Sequence, residues 1–265
     1  METSWREKCR RVYGGGSVLD TKIDVHSVYS SIPTNIFGAI VATLGIPNDL
    51  SILDVGCGRG GFLLYLESLG HRGHLSGVDL ADNISSQVKT RKDIQFSAAD
   101  IEALPFISDT FDAVTAIHML SHVQNLAHGM MEIQRVLTRD GRFVASANSL
   151  QSYPHVAKYR KMVFQEFDWG EPLFSTTRFN LENMKEILNG YWKQVNLVIL
   201  TGELRIPVKP FLRYFAAHID VWEKIPTLNQ RDEILRLVAE WSAQDAIDGY
   251  IVELKRVGIT TCANH

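Results

Sequence analysis

Ile52-Leu53-Asp54-Val55-Gly56-Cys57-Gly58-Arg59-Gly60-Gly61-Phe62 reads as a short apolar strand that runs into a glycine loop and then a helix, with an acid just before the first glycine. Glycine has no Cβ and takes positive φ readily, so Gly56, Gly58 and Gly60 let the backbone come close to a ligand. The loop predicts a cofactor site at the end of a buried strand. Around it, strand-like and helix-like stretches alternate from Asn35 to Asn148, which predicts an α/β fold: a doubly wound, mostly parallel sheet with ligands at the carboxyl ends of its strands.

Gly56, Gly58 and Gly61 also satisfy the G-x-G-x-x-G spacing of dinucleotide-binding folds, so the loop alone leaves two cofactor classes open. The surroundings separate them. Asp54 sits where a dehydrogenase strand usually stays apolar; a carboxylate there receives a cationic amino group and repels a pyrophosphate. Downstream, Leu75-Ser76-Gly77-Val78-Asp79-Leu80 reads as a second strand ending in an acid suited to two ribose hydroxyls. Ile94-Gln95-Phe96-Ser97-Ala98-Ala99-Asp100-Ile101 reads as a third, ending in an acid and an apolar residue suited to an adenine amino group and ring face. Asp79 and Asp100 also fit the plainer role of helix or turn caps.

In this order the residues resemble the class I S-adenosylmethionine-dependent methyltransferases. The pattern runs through Asp54-Val55-Gly56-Cys57-Gly58-Arg59-Gly60, Asp79, Asp100-Ile101 and Phe111-Asp112-Ala113-Val114. It continues through Glu132, Arg135-Val136-Leu137 and Asp140-Gly141-Arg142-Phe143, and covers about residues 36 to 149. The resemblance implies a Rossmann-like sheet whose last strand is antiparallel. It implies that Asp54, Gly56, Cys57, Gly58 and Gly60 hold the methionine end of S-adenosylmethionine, that Asp79 and Leu80 meet the ribose, and that Asp100 and Ile101 meet the adenine.

The 265 residues fit one methyltransferase domain: an N-terminal arm or lid over 1–34, a cofactor-binding core over 35–149, and the second half of the sheet over 150–265 with a cap insertion at about 203–248. The arm, with Gly14-Gly15-Gly16 and Ile32-Pro33, reads as mobile more than as core. A net charge of −3 gives no global case for binding nucleic acid. Cys9, Cys57 and Cys262 have no paired spacing for a disulfide framework or a metal, Met1 to Lys8 is too polar for a secretory signal, and no apolar run reaches membrane-spanning length. The expectation is a cytoplasmic, metal-free monomer or homodimer acting on a small molecule, without nucleic acid or membrane as partner.

The expected fourth strand, Phe111 to Ile117, delivers His118-Met119-Leu120-Ser121-His122 at its carboxyl end. That places His118 near the transferable methyl, as a cofactor contact and as the candidate base, since a neutral imidazole accepts a proton from a hydroxyl or ammonium acceptor. His122, Asn148, Tyr153 and His155, together with Tyr13, His26 and Tyr29 of the arm, are candidates for the acceptor pocket. Arg178, Arg205 and Lys209 are candidates for an anionic acceptor, although charged side chains are mostly solvated surface. The expected reaction is methyl transfer to O or N of a small acceptor, plausible in natural-product biosynthesis. Carbon as the acceptor atom, an RNA or protein substrate, and a non-catalytic S-adenosylmethionine-binding regulator are the alternatives.

Overall fold

The computed structural model describes residues 7, 10, 17–32, 35–45, 48–81, 88, 91, 93–172 and 177–264. Its centre is a seven-stranded sheet in the order β3-β2-β1-β4-β5-β7-β6. The strands are β1 (Ile52–Val55), β2 (Leu75–Asp79), β3 (Ile94–Ala98), β4 (Phe111–Ile117), β5 (Leu137–Asn148), β6 (Gln194–Pro207) and β7 (Tyr250–Ala263). Pairing is parallel except around β7, which lies antiparallel between β5 and β6. All of β1 is buried, which explains its continuous apolar character: a central strand covered on both faces needs apolar side chains on each.

Alternate residues of that strand serve opposite faces. Leu53 and Val55 join one core with Val114, Phe143 and Met184, while Ile52 joins another with Ile40, Leu63 and Val144. The flanking helices are α2 (Ile36–Leu44), α3 (Gly61–Ser68), α4 (Leu126–Val136), α5 (Pro154–Glu166) and α6 (Met184–Asn189). Helix α2 begins at Asn35, whose side chain accepts from the Phe37 N–H, and ends at Gly45 in the left-handed region, as its flanking sequence predicts.

Three expectations change. β6 outlasts its apolar run, which stops at Leu200, and enters the stretch expected to open the cap at about 203: it pairs with β7 to the end, from Gln194 opposite Ala263 to Pro207 opposite Tyr250. β5 ends at Asn148 opposite Val257, so residues 201–207 and 250–256 continue as a two-stranded ribbon past its carboxyl end. Glu203-Leu204-Arg205-Ile206-Pro207 therefore belongs to the sheet, and the cap proper is α7 (Val208–Ile219) and α8 (Leu228–Asp245), opened by a Thr227/Gln230 capping box. The third change is in the arm. Ser17–Tyr29 forms a helix, α1, with Val18 and Val25 buried, and Ser30 bridges to Leu204 of the ribbon.

Ribbon and helices share a third core, built from Val25, Val163, Phe164, Leu204, Phe211, Phe215, Trp222, Ile234 and Ile251. The cap is thus a packed layer beside the carboxyl edge of the sheet, and burial of its large aromatics dominates its stability. Among the described residues no helix is long and apolar enough to cross a membrane.

Candidate active site

The glycine loop takes the conformation its composition predicts. Gly56, Gly58 and Gly60 have φ of +67°, +54° and +79°, values that cost a residue with a Cβ roughly 1–2 kcal/mol each. Space is short as well: a Cβ on Gly56 would lie 2.7 Å from the side chain of Met119, and one on Gly58 would lie 3.1 Å from Leu19 of α1. Helix α1 therefore covers the loop, and Asp20 beside Leu19 pairs with Arg59 at 3.1 Å. Arg59 thereby ties the loop to the arm.

The loop's amides face inward. Gly56 and Cys57 N–H donate to the Val78 carbonyl, Gly60 N–H to the Cys57 carbonyl, and Gly58 N–H to Asp79 Oδ2 at 2.9 Å. Those four donors are spent inside the protein and form no cradle for a pyrophosphate. Cys57 is buried against Gly77, where a Cβ would come within 2.8 Å of its sulfur; its place is in the loop's packing. Burial pushes its thiol pKa well up, so it is not a nucleophile.

Two carboxylates flank the loop. Asp54 is 2 % exposed and accepts a 2.6 Å hydrogen bond from Thr115 Oγ1. Burial, set against that bond and reinforced by the charge of Asp79, raises its pKa to about 7. A cation arriving here would restore its charge. Asp79 sits at the end of β2 and uses Oδ2 for Gly58 and Oδ1 for the Ala81 N–H at 2.9 Å. Leu80, next to it, accepts from Arg10 through its carbonyl. The two acids and the inward-facing loop fit a cofactor with a cationic amino acid end and a ribose better than they fit a dinucleotide.

Asp100 closes a turn, with Oδ1 accepting the Glu102 N–H at 3.0 Å. Ile101 is 6 % exposed and packs on Gly129, where a Cβ would lie 3.3 Å away. That is a core contact beside Asp100.

Beyond the loop, β4 ends at His118, whose φ is +55°. A non-glycine residue in the left-handed region is strained and needs support. Ser146 of β5 supplies it by accepting the His118 N–H through both its carbonyl and its hydroxyl, at 3.1 and 3.2 Å. The same feature recurs at the end of β5, where Tyr153 has φ of +61° just before Pro154 opens α5. The reversal at His118 also means that no continuous helix joins it to His122, which closes a short 3₁₀ turn, Leu120–His122.

These residues meet the cap in one cluster of mostly buried polar and aromatic side chains, the chamber. His26 of α1 lies 3.2 Å from the Tyr214 hydroxyl of α7, and its ring meets Tyr153 and Tyr214 edge to face at 5.6 and 5.8 Å. Tyr214 contacts His218, one turn on, at 4.7 Å. The Tyr153 hydroxyl reaches Asn148 Oδ1 at 3.4 Å. Burial, together with the charge of Lys255 on β7, lowers the His118 pKa to about 4. Burial with Lys255, His118 and Lys22 as neighbours lowers His26 to about 3, and burial with Lys22 and Arg178 nearby lowers His122 to about 4. The 6.5 expected for a free imidazole is thus corrected downward: all three are neutral at pH 7.

Not every candidate joins the chamber. His155 turns to Glu253, with Nδ1 3.4 Å from Oε2, and that carboxylate raises its pKa. Tyr29 packs with the cap core. Arg205 lies over the Tyr250 ring at 5.4 Å and is exposed, like Arg178 and Lys209. Tyr13 lies outside the described residues. Lys22, Tyr214, His218 and Lys255 escaped the sequence reading. The repeated four-residue spacing of Lys22 with His26 and of Tyr214 with His218, which puts each pair on one helix face, was the available signal. Among the described residues no group of three His, Cys, Asp or Glu side chains assembles as a metal site. A surface groove of about 390 Å³, lined by Thr43, Asp140, Gln194 and Asn196 among others, lies at the opposite end of the sheet.

The seven-stranded sheet with its single antiparallel strand, β7, is the Rossmann-like fold of class I S-adenosylmethionine-dependent methyltransferases. Residues 53–145 match the family described as a methyltransferase domain. The chain is 34% identical over 113 residues to the sterol 4-C-methyltransferase of Caenorhabditis elegans, covering 40% of this chain and 33% of that protein. It is 34% identical over 118 residues to a demethylmenaquinone methyltransferase of Lactococcus lactis, covering 42% and 47%. It thus spans less than half the length of either relative. A crystal structure of a methyltransferase from an antibiotic biosynthesis pathway of Anabaena variabilis superposes with a TM-score of 0.62 at 19% identity, covering 85% of this chain and 96% of that one; at that identity the likeness concerns the fold.

Proposed function

We propose that this protein transfers a methyl group from S-adenosylmethionine to an oxygen or nitrogen atom of a small acceptor held in the chamber beneath the cap. The observation that carries the reading is the glycine loop with its amides satisfied inward, set between Asp54 and Asp79. In this reading Asp54 and the loop receive the methionine end, Asp79 the ribose, and Asp100 the adenine amino group. S-adenosylmethionine supplies an electrophilic methyl on a cationic sulfonium.

The chain's own contribution is alignment and proton handling. Transfer by in-line displacement needs the acceptor atom held against the methyl. The strained backbone of His118, pinned by Ser146, fixes an imidazole at the end of β4 where the acceptor's proton must leave. The proton passes to a His118 nitrogen and then to solvent, while the acceptor's electron pair forms the new bond to carbon. His118 is neutral and ready to accept at pH 7, though burial makes it a weak base in the empty chamber.

The two cap helices, α7 and α8, with α1 of the arm beside them, support a small acceptor in preference to RNA or protein, and the antibiotic-pathway relative in fold supports a place in natural-product metabolism. Carbon is the second reading, favoured by the named activity of the nematode sterol 4-C-methyltransferase. Calorimetric titration with S-adenosylmethionine, S-adenosylhomocysteine and NADH tests the proposal. Micromolar binding of the first two without NADH supports it; binding of NADH alone, or of none, overturns it.

A further inference from the structure

The chamber's walls share one chemistry. Helix α1 contributes Lys22 and His26, helix α7 contributes Tyr214 and His218, β4 ends in His118, α5 starts beside Tyr153, and the β7 ribbon adds Lys255. His26 Nδ1, His118 Nδ1 and His218 Nε2 are buried without a hydrogen-bond partner. Buried polar atoms are normally satisfied, so three unsatisfied nitrogens in one chamber call for a ligand. Two ammonium groups stand among them, and each feels the same surroundings: burial pushes Lys22 down to about 8 and lowers Lys255 as well.

Among the described residues neither Lys22 nor Lys255 has an acid at ion-pair distance. Asp220, which Lys22 senses, is held by Arg231 at 2.5 Å. Glu253, two residues from Lys255, is fully buried and already accepts the His155 and Val156 N–H groups at 2.9 Å each. Holding an ammonium partly buried with no acid at ion-pair distance is costly, and a cost borne twice in one cluster points to a charge that arrives with the ligand.

We propose that the chamber is a receptor for an oxyanion, and that the methyl acceptor is a small organic acid, a carboxylate or a phosphate ester, whose anionic group is held by Lys22 and Lys255 with the free nitrogens of His26 and His218. This rests on reading the chamber as the acceptor site of a methyltransferase. The edge-on rings of His26, Tyr153 and Tyr214 provide an aromatic wall for the apolar part of that acid. His118, beside Lys255, is left for the reacting end. An arriving anion would also strengthen His118 as a base, because negative charge nearby favours imidazolium.

The test is calorimetry on the full chain with benzoate, phenyl phosphate and the neutral isostere benzamide, each in parallel with S-adenosylhomocysteine. One of the two anions should bind at least tenfold tighter than benzamide, and whichever does identifies the source of the oxyanion. Lys255→Met and Lys22→Met should each weaken that anion tenfold or more, with Lys255→Arg retaining most of the affinity. Equal binding of benzamide and the anions in the unaltered protein, no binding of any probe, or unchanged affinity in both methionine variants would overturn the receptor. Anion binding without S-adenosylhomocysteine binding would sink the methyltransferase reading and leave the receptor; the reverse pattern would sink the receptor alone.

Discussion

Replacing Asp79 with alanine separates the two roles that one carboxylate plays. Its oxygens accept from Gly58 and Ala81 at 2.9 Å each, so it anchors the glycine loop to β2 before any ligand arrives. Hydrogen bonds to a charged acceptor contribute about 1.5–3 kcal/mol each, which sets an upper range of roughly 3–6 kcal/mol for the pair. Burial of this carboxylate works the other way and raises its pKa, so a net loss of about 3 kcal/mol is expected. In a chain of this size that lowers the unfolding midpoint by roughly 6–12 °C. The assay is thermal unfolding of the cofactor-free protein at pH 7, with Asp79→Asn, which keeps one acceptor oxygen, falling about halfway. A midpoint within 2 °C of the unaltered protein, a threshold of roughly 1 kcal/mol, would refute the anchoring argument. Binding is read separately: loss of the ribose contact should weaken S-adenosylmethionine by about 2–3 kcal/mol, and unchanged affinity would remove the ribose assignment whatever the midpoint does.

Asp54 sets a pH dependence. Its folded pKa of about 7 lies above the ordinary 3.8, so the folded state holds a proton the unfolded state has lost; stability is greatest below pH 4, falls as pH rises toward 7, and is flat above. Denaturant unfolding of Asp54→Asn should lack that component of the fall, and identical profiles would contradict the assignment. His118→Ala should cut turnover on the order of 100-fold while S-adenosylmethionine affinity holds; equal loss of both would mark the residue as a cofactor contact instead. Gly56→Ala should cost about 1–2 kcal/mol from its backbone alone, with more from the clash against Met119. Adding Met119→Ala should recover the clash and not the backbone cost, and a purely additive double variant in chemical denaturation would show that Met119 does not crowd the loop.

The core was legible because every level of its sequence agreed. A central parallel strand buried on both faces reads as an apolar run, and glycines at left-handed positions punctuate it where the loop begins. The ribbon was not legible past Leu200, because Gly202 in β6 looks like a strand end. The structure gives that glycine a packing reason: a Cβ there would come within 2.6 Å of Ile32, so a gap in β-propensity marks where the arm crosses the sheet. The same crossing places Ser31 N–H on the Glu203 carbonyl at 2.8 Å, a contact more than 170 residues apart in sequence that no local pattern announces.

Helix α1 was missed for a different reason, and that reason ties the fold to the site. A helix covering a core is recognised by an apolar stripe, yet the inward side of α1 mixes Val18 and Val25 with Lys22 and His26. Those polar residues face a chamber and not a core, so the pattern that would have revealed the helix is blurred by the residues that make it useful. α7 behaves alike: Phe211, Tyr214 and Phe215 build the cap core, while the Tyr214 hydroxyl and the His218 ring join the polar cluster around His26. Leu19 and Asp20 of α1 also reach Gly58 and Arg59, so under the proposed function the helix that carries Lys22 and His26 to the acceptor is also the one that covers the cofactor loop. Cofactor and acceptor then depend on the docking of a single element. S-adenosylhomocysteine should accordingly slow proteolysis between Ser17 and Tyr29, and cleavage there that ignores the ligand would uncouple the two sites.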